Sequence, residues 1–100
     1  MLSPFWVAGK VASNGTVLSA SGRHSFTVAR LAAGVYKITW ATAHPLGRHY
    51  IYTVNQELGG SFTVHSMTEN GGESSTTMQV RFTTFNKHNA DTEFCFTVLA

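Results

Sequence analysis

Histidine is the residue type in this chain best suited to bind metals or carry protons, and the sequence has five, at positions 24, 44, 49, 65 and 88. A zinc site needs three or four ligands brought together, usually from closely spaced pairs. No two of these histidines have the spacing that places them on one helix face. His44 and His49 flank one loop and could approach each other, but a solvated polar loop accounts for both. The sequence therefore predicts no metal and no other cofactor.

Carboxylates and serines also lack the spacing that catalysis requires. Glu69 and Glu73 share a loop without an obvious third ligand, and no Asp-x-Asp calcium loop is present. The Gly-x-Ser-x-Gly elbow of a serine hydrolase is absent. Glu57 and Glu93 could be tested as the carboxylate pair of a glycosidase, but nothing singles them out. We therefore predict that the chain is not an enzyme.

The charge pattern argues against two classes of partner. Charged residues make up 12% of the 100 residues, against roughly 25% in an average soluble domain. The formal net charge is +2, and the basic residues are spread from Lys10 to Lys87 without the stripe that nucleic-acid binders show. No apolar run approaches the roughly 20 residues of a membrane helix. Neither a nucleic-acid partner nor membrane insertion is predicted.

The elements that would position any site are strands. Between Gly34 and Pro45, Tyr36, Ile38 and Trp40 alternate with polar residues, and a period of two is typical of a strand with one buried face. Seven or eight such segments follow one another, with connections too short for crossover helices. The sequence predicts one all-β domain over residues 1–100, an antiparallel β-sandwich of the jelly-roll type.

The predicted core consists of aromatic and aliphatic residues at period-two positions on separate strands. They are Phe26, Val28, Tyr36, Ile38, Trp40, Phe62, Val64, Val80, Phe82, Phe94 and Phe96.

A second set of apolar residues falls on the strand faces opposite this core. The last strand is apolar on both faces, and a strand of that kind is covered on both faces. Because a two-layer sandwich has one core, we expect the second set to meet other subunits, although scattered surface hydrophobics are also normal. The candidate interface residues are Trp6, Ile51, Phe85, Cys95 and Leu99.

Several segments of the sequence resemble those of a family of viral proteins. They are Gly9-Lys10-Val11, the Asn14-Gly15 turn, Ser25 to Arg30, Gly34 to Trp40, and the closing Asp91-x-x-Phe94-x-Phe96-Thr97-Val98. Together they look like the small C-terminal head domains of phage and algal-virus fibre and structural proteins. More loosely, they are similar to the jelly-roll heads of complement and tumour-necrosis-factor proteins. The resemblance covers about Gly9 to Leu99, and its motifs are mainly structural.

This resemblance implies a tight homotrimer on the virion, at a fibre tip or the capsid surface, that contacts a host-surface glycan or protein. Receptor contact would then fall to three outer loops, within His44–Arg48, Glu69–Ser75 and Asn86–Asp91. The residues expected to face the receptor are His44, Arg48, Asn70, Glu73, Lys87 and His88.

Two alternatives remain open. The first is a secreted, extracellular trimeric ligand head of the complement or tumour-necrosis-factor type, although the chain has neither a collagen-like segment nor an acidic calcium cluster. The second is a monomeric carbohydrate-binding module in which Trp6, Tyr50 or Tyr52 stacks on a sugar.

Overall fold

The computed structural model describes residues 3–56, 62–67, 74–84 and 91–100, with the backbone alone for residues 56, 62–67, 83 and 84. These parts of the chain form strands and no helix, which confirms the all-β prediction. The strands are β1 (Phe5–Val11), β2 (Val17–Ser21), β3 (Phe26–Ala32), β4 (Val35–Trp40), β5 (Tyr52–Gln56), β6 (Phe62–Met67), β7 (Thr77–Thr84) and β8 (Phe94–Leu99).

Two four-stranded sheets pack together as a β-sandwich. Sheet A has the strand order β2-β1-β8-β5, and sheet B has the order β3-β4-β7-β6. Every pairing within them is antiparallel, as the short connections predicted. The first and last strands lie side by side in the middle of sheet A, so the two ends of the described chain meet there.

The turn between β1 and β2 forms where the Asn-Gly pair predicted it. Gly15 has a φ of 94°, a conformation that glycine adopts without steric cost. The Asn14 side chain accepts a hydrogen bond from the Thr16 N–H at 3.0 Å. β2 extends through Ser21, because Ser19, Ala20 and Ser21 pair with β1.

The core between the sheets is largely the predicted one. Seven of the predicted residues are buried there: Tyr36, Ile38, Trp40, Val80, Phe82, Phe94 and Phe96. Phe26 and Val28 are partly buried and pack against this cluster. The side chains of Phe62 and Val64 lie outside the described residues. Trp40 and Tyr50 donate hydrogen bonds to the carbonyls of Ser75 and Thr77, both at 2.8 Å, so these two rings are buried with their polar atoms paired.

An irregularity in β1 overturns the predicted faces of its first residues. Phe5 pairs with Leu99 and Val7 with Val98, so Trp6 is an extra residue on its strand. A bulge of this kind breaks the period of two. Phe5 therefore shares a face with the exposed Leu99 rather than with Val7, which is buried. Trp6, predicted to point away from the core, is instead part of it and only 8% exposed.

Candidate interaction surface

The outer face of sheet A carries a row of apolar side chains near one end. Phe5 lies opposite Leu99 in the β1–β8 register. On the other side of β8, the Leu99 N–H donates to the Ile51 carbonyl at 2.8 Å. Directly opposed residues of antiparallel strands have neighbouring side chains. Phe5 is half-buried, while Leu99 is 43% and Ile51 62% exposed. We call these three residues the apolar row.

Small, uncharged side chains continue this face beyond the apolar row. Ala8, Thr97 and Thr53 stand side by side across β1, β8 and β5, and Ser21 of β2 pairs with Ala8. The hydroxyls of Thr53 and Thr97 are 2.5 Å apart and hydrogen-bonded to each other. One of the two hydroxyls donates to the other, so this face carries a polar pair that is partly satisfied within the sheet and bears no formal charge.

Formal charge comes with the next row along this face. Lys10, Cys95 and Asn55 pair across β1, β8 and β5. The Lys10 ammonium lies 3.6 Å from a carboxylate oxygen of Glu93, so its charge has an opposite partner close by. Because charged residues are depleted in the centre of protein interfaces, this face has the composition of a surface that another protein can cover.

The structure places three of the five predicted interface residues on this face. Ile51 and Leu99 are neighbours in the apolar row, and the half-buried Cys95 lies on the same side of β8 as Leu99. Trp6 is a core residue, because the β1 bulge breaks the alternation that would have placed it on the outer face. Phe85 lies outside the described residues. Phe5, which was not predicted as an interface residue, also lies on this surface, because the β1 bulge places it opposite Leu99.

Of the six residues predicted to face a receptor, His44 and Arg48 are the two that the structure describes. His44 is 3% exposed, which corrects the expectation that it faces outward. Its ring lies between Trp6 and Tyr50, with centroids at 5.0 and 5.4 Å. Its Nδ1 accepts from the Leu46 N–H at 3.1 Å, and its Nε2 donates to the Leu99 carbonyl at 2.8 Å. A side chain with both nitrogens occupied inside the protein is structural.

Arg48 is exposed, in agreement with its predicted position on an outer loop. The other residues expected to face a receptor lie outside the described residues: Asn70, Glu73, Lys87 and His88.

The aromatic residues considered for sugar stacking do not form an open platform. Trp6 is 8% and Tyr50 4% exposed. Tyr52 is half-buried and packs against the core cluster. A sugar stacks on the exposed face of an aromatic ring, and Trp6 and Tyr50 are enclosed in the core, whereas Tyr52 keeps part of its surface exposed. Two of the three residues proposed for the carbohydrate-binding alternative are therefore core residues.

Asp91, which the sequence places at the end of a predicted receptor loop, is the centre of a polar cluster among the described residues. Asp91 accepts from the Gly34 N–H at 2.7 Å and from the Tyr36 hydroxyl at 3.2 Å. Arg30 contributes its Nε, 3.0 Å from each carboxylate oxygen, and a terminal guanidinium nitrogen 2.8 Å from one of them. The cluster ties the start of β8 to the β3–β4 connection.

The electrostatics of this cluster are those of a structural contact. Hydrogen bonds from Arg30 are the main reason that the pKa of Asp91 is lowered, and the Gly34 N–H adds to this, against the opposing effect of burial. The same contact raises the pKa of Arg30. Burial, followed by the nearby Asp91 charge, raises the pKa of Tyr36 to about 12. Asp91 is thus held ionised and Tyr36 neutral, and neither is poised to exchange a proton near neutral pH.

Two further observations bear on the class of site. Among the residues placed in the structure, no group of three or more histidines, cysteines or acids is arranged to hold a metal ion. The same residues include no helix long and apolar enough to cross a membrane.

Comparison with models of known protein families, with curated proteins and with solved structures finds no match to this chain.

Proposed function

We propose that this chain is a non-enzymatic head domain of a viral or phage fibre or structural protein, which assembles as a homotrimer and serves host attachment. The observation that carries the proposal is the outer face of sheet A, with its apolar row beside a row of small uncharged side chains. Covering Leu99 and Ile51 with a partner would contribute a binding free energy of roughly 25 cal/mol for each Å² of apolar surface removed from water.

A three-fold ring of identical subunits suits a face of this kind. Each subunit offers the same surface, and a head-to-tail contact that closes after three copies leaves no unpaired interface at either end. The apolar row lies near one end of sheet A. Three copies could therefore bring their rows together around one axis while their opposite sheets B face outward.

The strand order also supports a jelly-roll relationship. A jelly roll pairs its first strand with its last and nests the following pairs inside. Here β1 pairs with β8 in sheet A, β4 pairs with β7 in sheet B, and β5 and β6 occupy the next positions of the two sheets. We infer a reduced jelly roll in which β2 and β3 form an added edge on each sheet.

Attachment to a host glycan or protein rests on the resemblance and on the avidity that a trimer would provide. Three copies of one weak site bind a surface bearing many receptors more tightly than a single copy does. Arg48, on an exposed loop, is the described residue that we assign to such a contact. The secreted ligand head remains the second candidate, because it shares the fold and the trimer.

The mass of the purified domain tests the proposal. We expect light scattering at micromolar concentration to give the mass of three chains, and Leu99→Asp to reduce it to one. Leu31→Asp is the matched control, because Leu31 is 52% exposed but lies on β3 in sheet B. A monomeric parent, or a trimer that tolerates Leu99→Asp, would refute assembly through this face.

The two trimeric candidates are separated by the gene that encodes the domain. A fibre shaft or capsid region upstream supports the viral head, whereas a signal peptide and collagen stem support the secreted ligand.

A further inference from the structure

The free edge of β2 is the least protected part of the described surface. β2 is the terminal strand of sheet A and pairs only with β1 in the part of the chain that is described. All five of its residues are exposed, including Val17 at 38% and Leu18 at 51%. Along one side it therefore presents backbone N–H and C=O groups to solvent, which is a template for another strand.

Charge and proline, two of the devices that prevent edge-to-edge pairing, are missing from β2. Edge strands are commonly blocked by lysine, by proline or by an inward-pointing charge. β2 reads Val-Leu-Ser-Ala-Ser, without a charge or a proline. The edge of sheet B differs, since β3 carries Arg30. The register shift between β1 and β2 makes Leu18 an extra residue of β2, while Ser19, Ala20 and Ser21 remain regularly paired with β1.

We propose that β2 is a self-association edge, at which β2 of a second copy pairs antiparallel about a two-fold axis near Ser19. The two sheets A would then join into one continuous eight-stranded sheet. An extended backbone is the only partner that matches a row of alternating donors and acceptors, and strand addition of this kind is a recurring mode of recognition. The proposal concerns a different surface from the apolar row and does not depend on the proposed function.

A second copy is the occupant that the charges and sizes of the side chains favour. In a two-fold contact each residue meets residues of its own strand, so any charge near the axis would oppose itself, and β2 has none. The nearest charge in register, Lys10 opposite Ser19, is already paired with Glu93. With Ser19 at the axis, Leu18 stands opposite Ala20 of the other copy, a large side chain against a small one.

Cysteine cross-linking tests the strand pairing directly. In a Cys95→Ser background, single cysteines are placed at positions 18, 19, 20 and 21, and the concentrated protein is oxidised. Opposed Cα atoms of antiparallel strands lie about 4.5–5.5 Å apart, within the range that a disulfide spans. We expect Ser19→Cys to form disulfide-linked dimers and Ser21→Cys to form few. Cross-linking at none of the positions, or equally at all four, would overturn the proposal.

A second measurement uses a variant in which association through the apolar row on sheet A is disrupted. In a Leu99→Asp background we expect sedimentation to show dimers forming as the concentration rises, and Leu18→Lys to weaken them at least tenfold. Leu31→Lys is the control, with nearly the same exposure on the other sheet, 52% against 51%. A Leu99→Asp protein that stays monomeric up to about 1 mM, or equal effects of the two lysines, would contradict pairing through β2.

Discussion

Replacing Asp91 provides the sharpest test of how this sandwich is held closed. In Asp91→Ala, the N–H of Gly34 loses its acceptor at 2.7 Å, and Gly34 is buried. An unsatisfied buried N–H costs about 1–3 kcal/mol. The Tyr36 hydroxyl keeps a second acceptor, the Ser13 carbonyl at 2.5 Å, so its loss is smaller, about 0.5–1 kcal/mol. The exposed ion pair with Arg30 adds little, because solvent screens it.

We therefore expect Asp91→Ala to lower the free energy of unfolding by about 2–4 kcal/mol, measured by urea denaturation. In a domain of this size each kcal/mol corresponds to about 4–8 °C in Tm. Asp91→Asn retains an oxygen that can accept from Gly34, so it should cost only about 1 kcal/mol. The difference between the two variants isolates the hydrogen bond from the charge.

Glu93→Ala is the matched control for this experiment. Glu93 lies two residues along the chain and also forms an ion pair, with Lys10 at 3.6 Å, but both side chains are substantially exposed. We expect its removal to change the free energy of unfolding by less than about 0.5 kcal/mol. The reasoning is refuted if Asp91→Ala costs no more than Glu93→Ala, or if Asp91→Asn is as damaging as Asp91→Ala.

Three further predictions concern the same core. Acid should destabilise the parent protein more than the Asp91→Asn variant. Because the pKa of Asp91 is lowered in the folded state, its contribution to stability is present above the usual carboxyl pKa of about 4 and is lost as the pH falls through the folded value. Urea midpoints measured at pH 7 and pH 3 would show this difference. Tyr36, with a pKa of about 12, favours folding below about pH 10 and loses that contribution as pH rises towards 12. Tyr36→Phe should therefore remove a step near pH 12 from an ultraviolet tyrosine titration. Ile38→Ala should cost roughly 2–5 kcal/mol because Ile38 is fully buried, and a urea midpoint that hardly moves would contradict the core assignment.

The strands and the core could be predicted because their signals are local. The six residues of β4 alone predict a strand, because aromatic and β-branched residues alternate in it with a period of two. The two residues Asn14 and Gly15 alone predict the turn between β1 and β2. Burial of Tyr36, Ile38 and Trp40 follows from the same alternation. None of these inferences requires knowledge of which strand lies next to which.

The polar cluster and the buried histidine could not be predicted in this way. Asp91 lies 61 residues from Arg30 and 57 from Gly34 along the chain, so only the paired sheets bring them together. His44 sits in a loop before a proline, a context that is typical of exposed histidines. It is buried because Trp6, Tyr50 and the end of β8 converge on it, and each of those positions depends on the tertiary fold.

The β1 bulge links the main error of the sequence interpretation to the proposed interface. Strict alternation would put Phe5 and Val7 on one face and Trp6 on the other. The extra residue at Trp6 moves Phe5 to the outer face opposite Leu99, while Val7 remains opposite the buried Val98. It also lets the indole enter the core, where it contacts His44 and donates to the Thr42 carbonyl at 3.3 Å. One irregularity thus fills the core with a tryptophan and places a phenylalanine on the surface. The position of Phe5 in the apolar row is therefore a direct consequence of how this end of the core is packed.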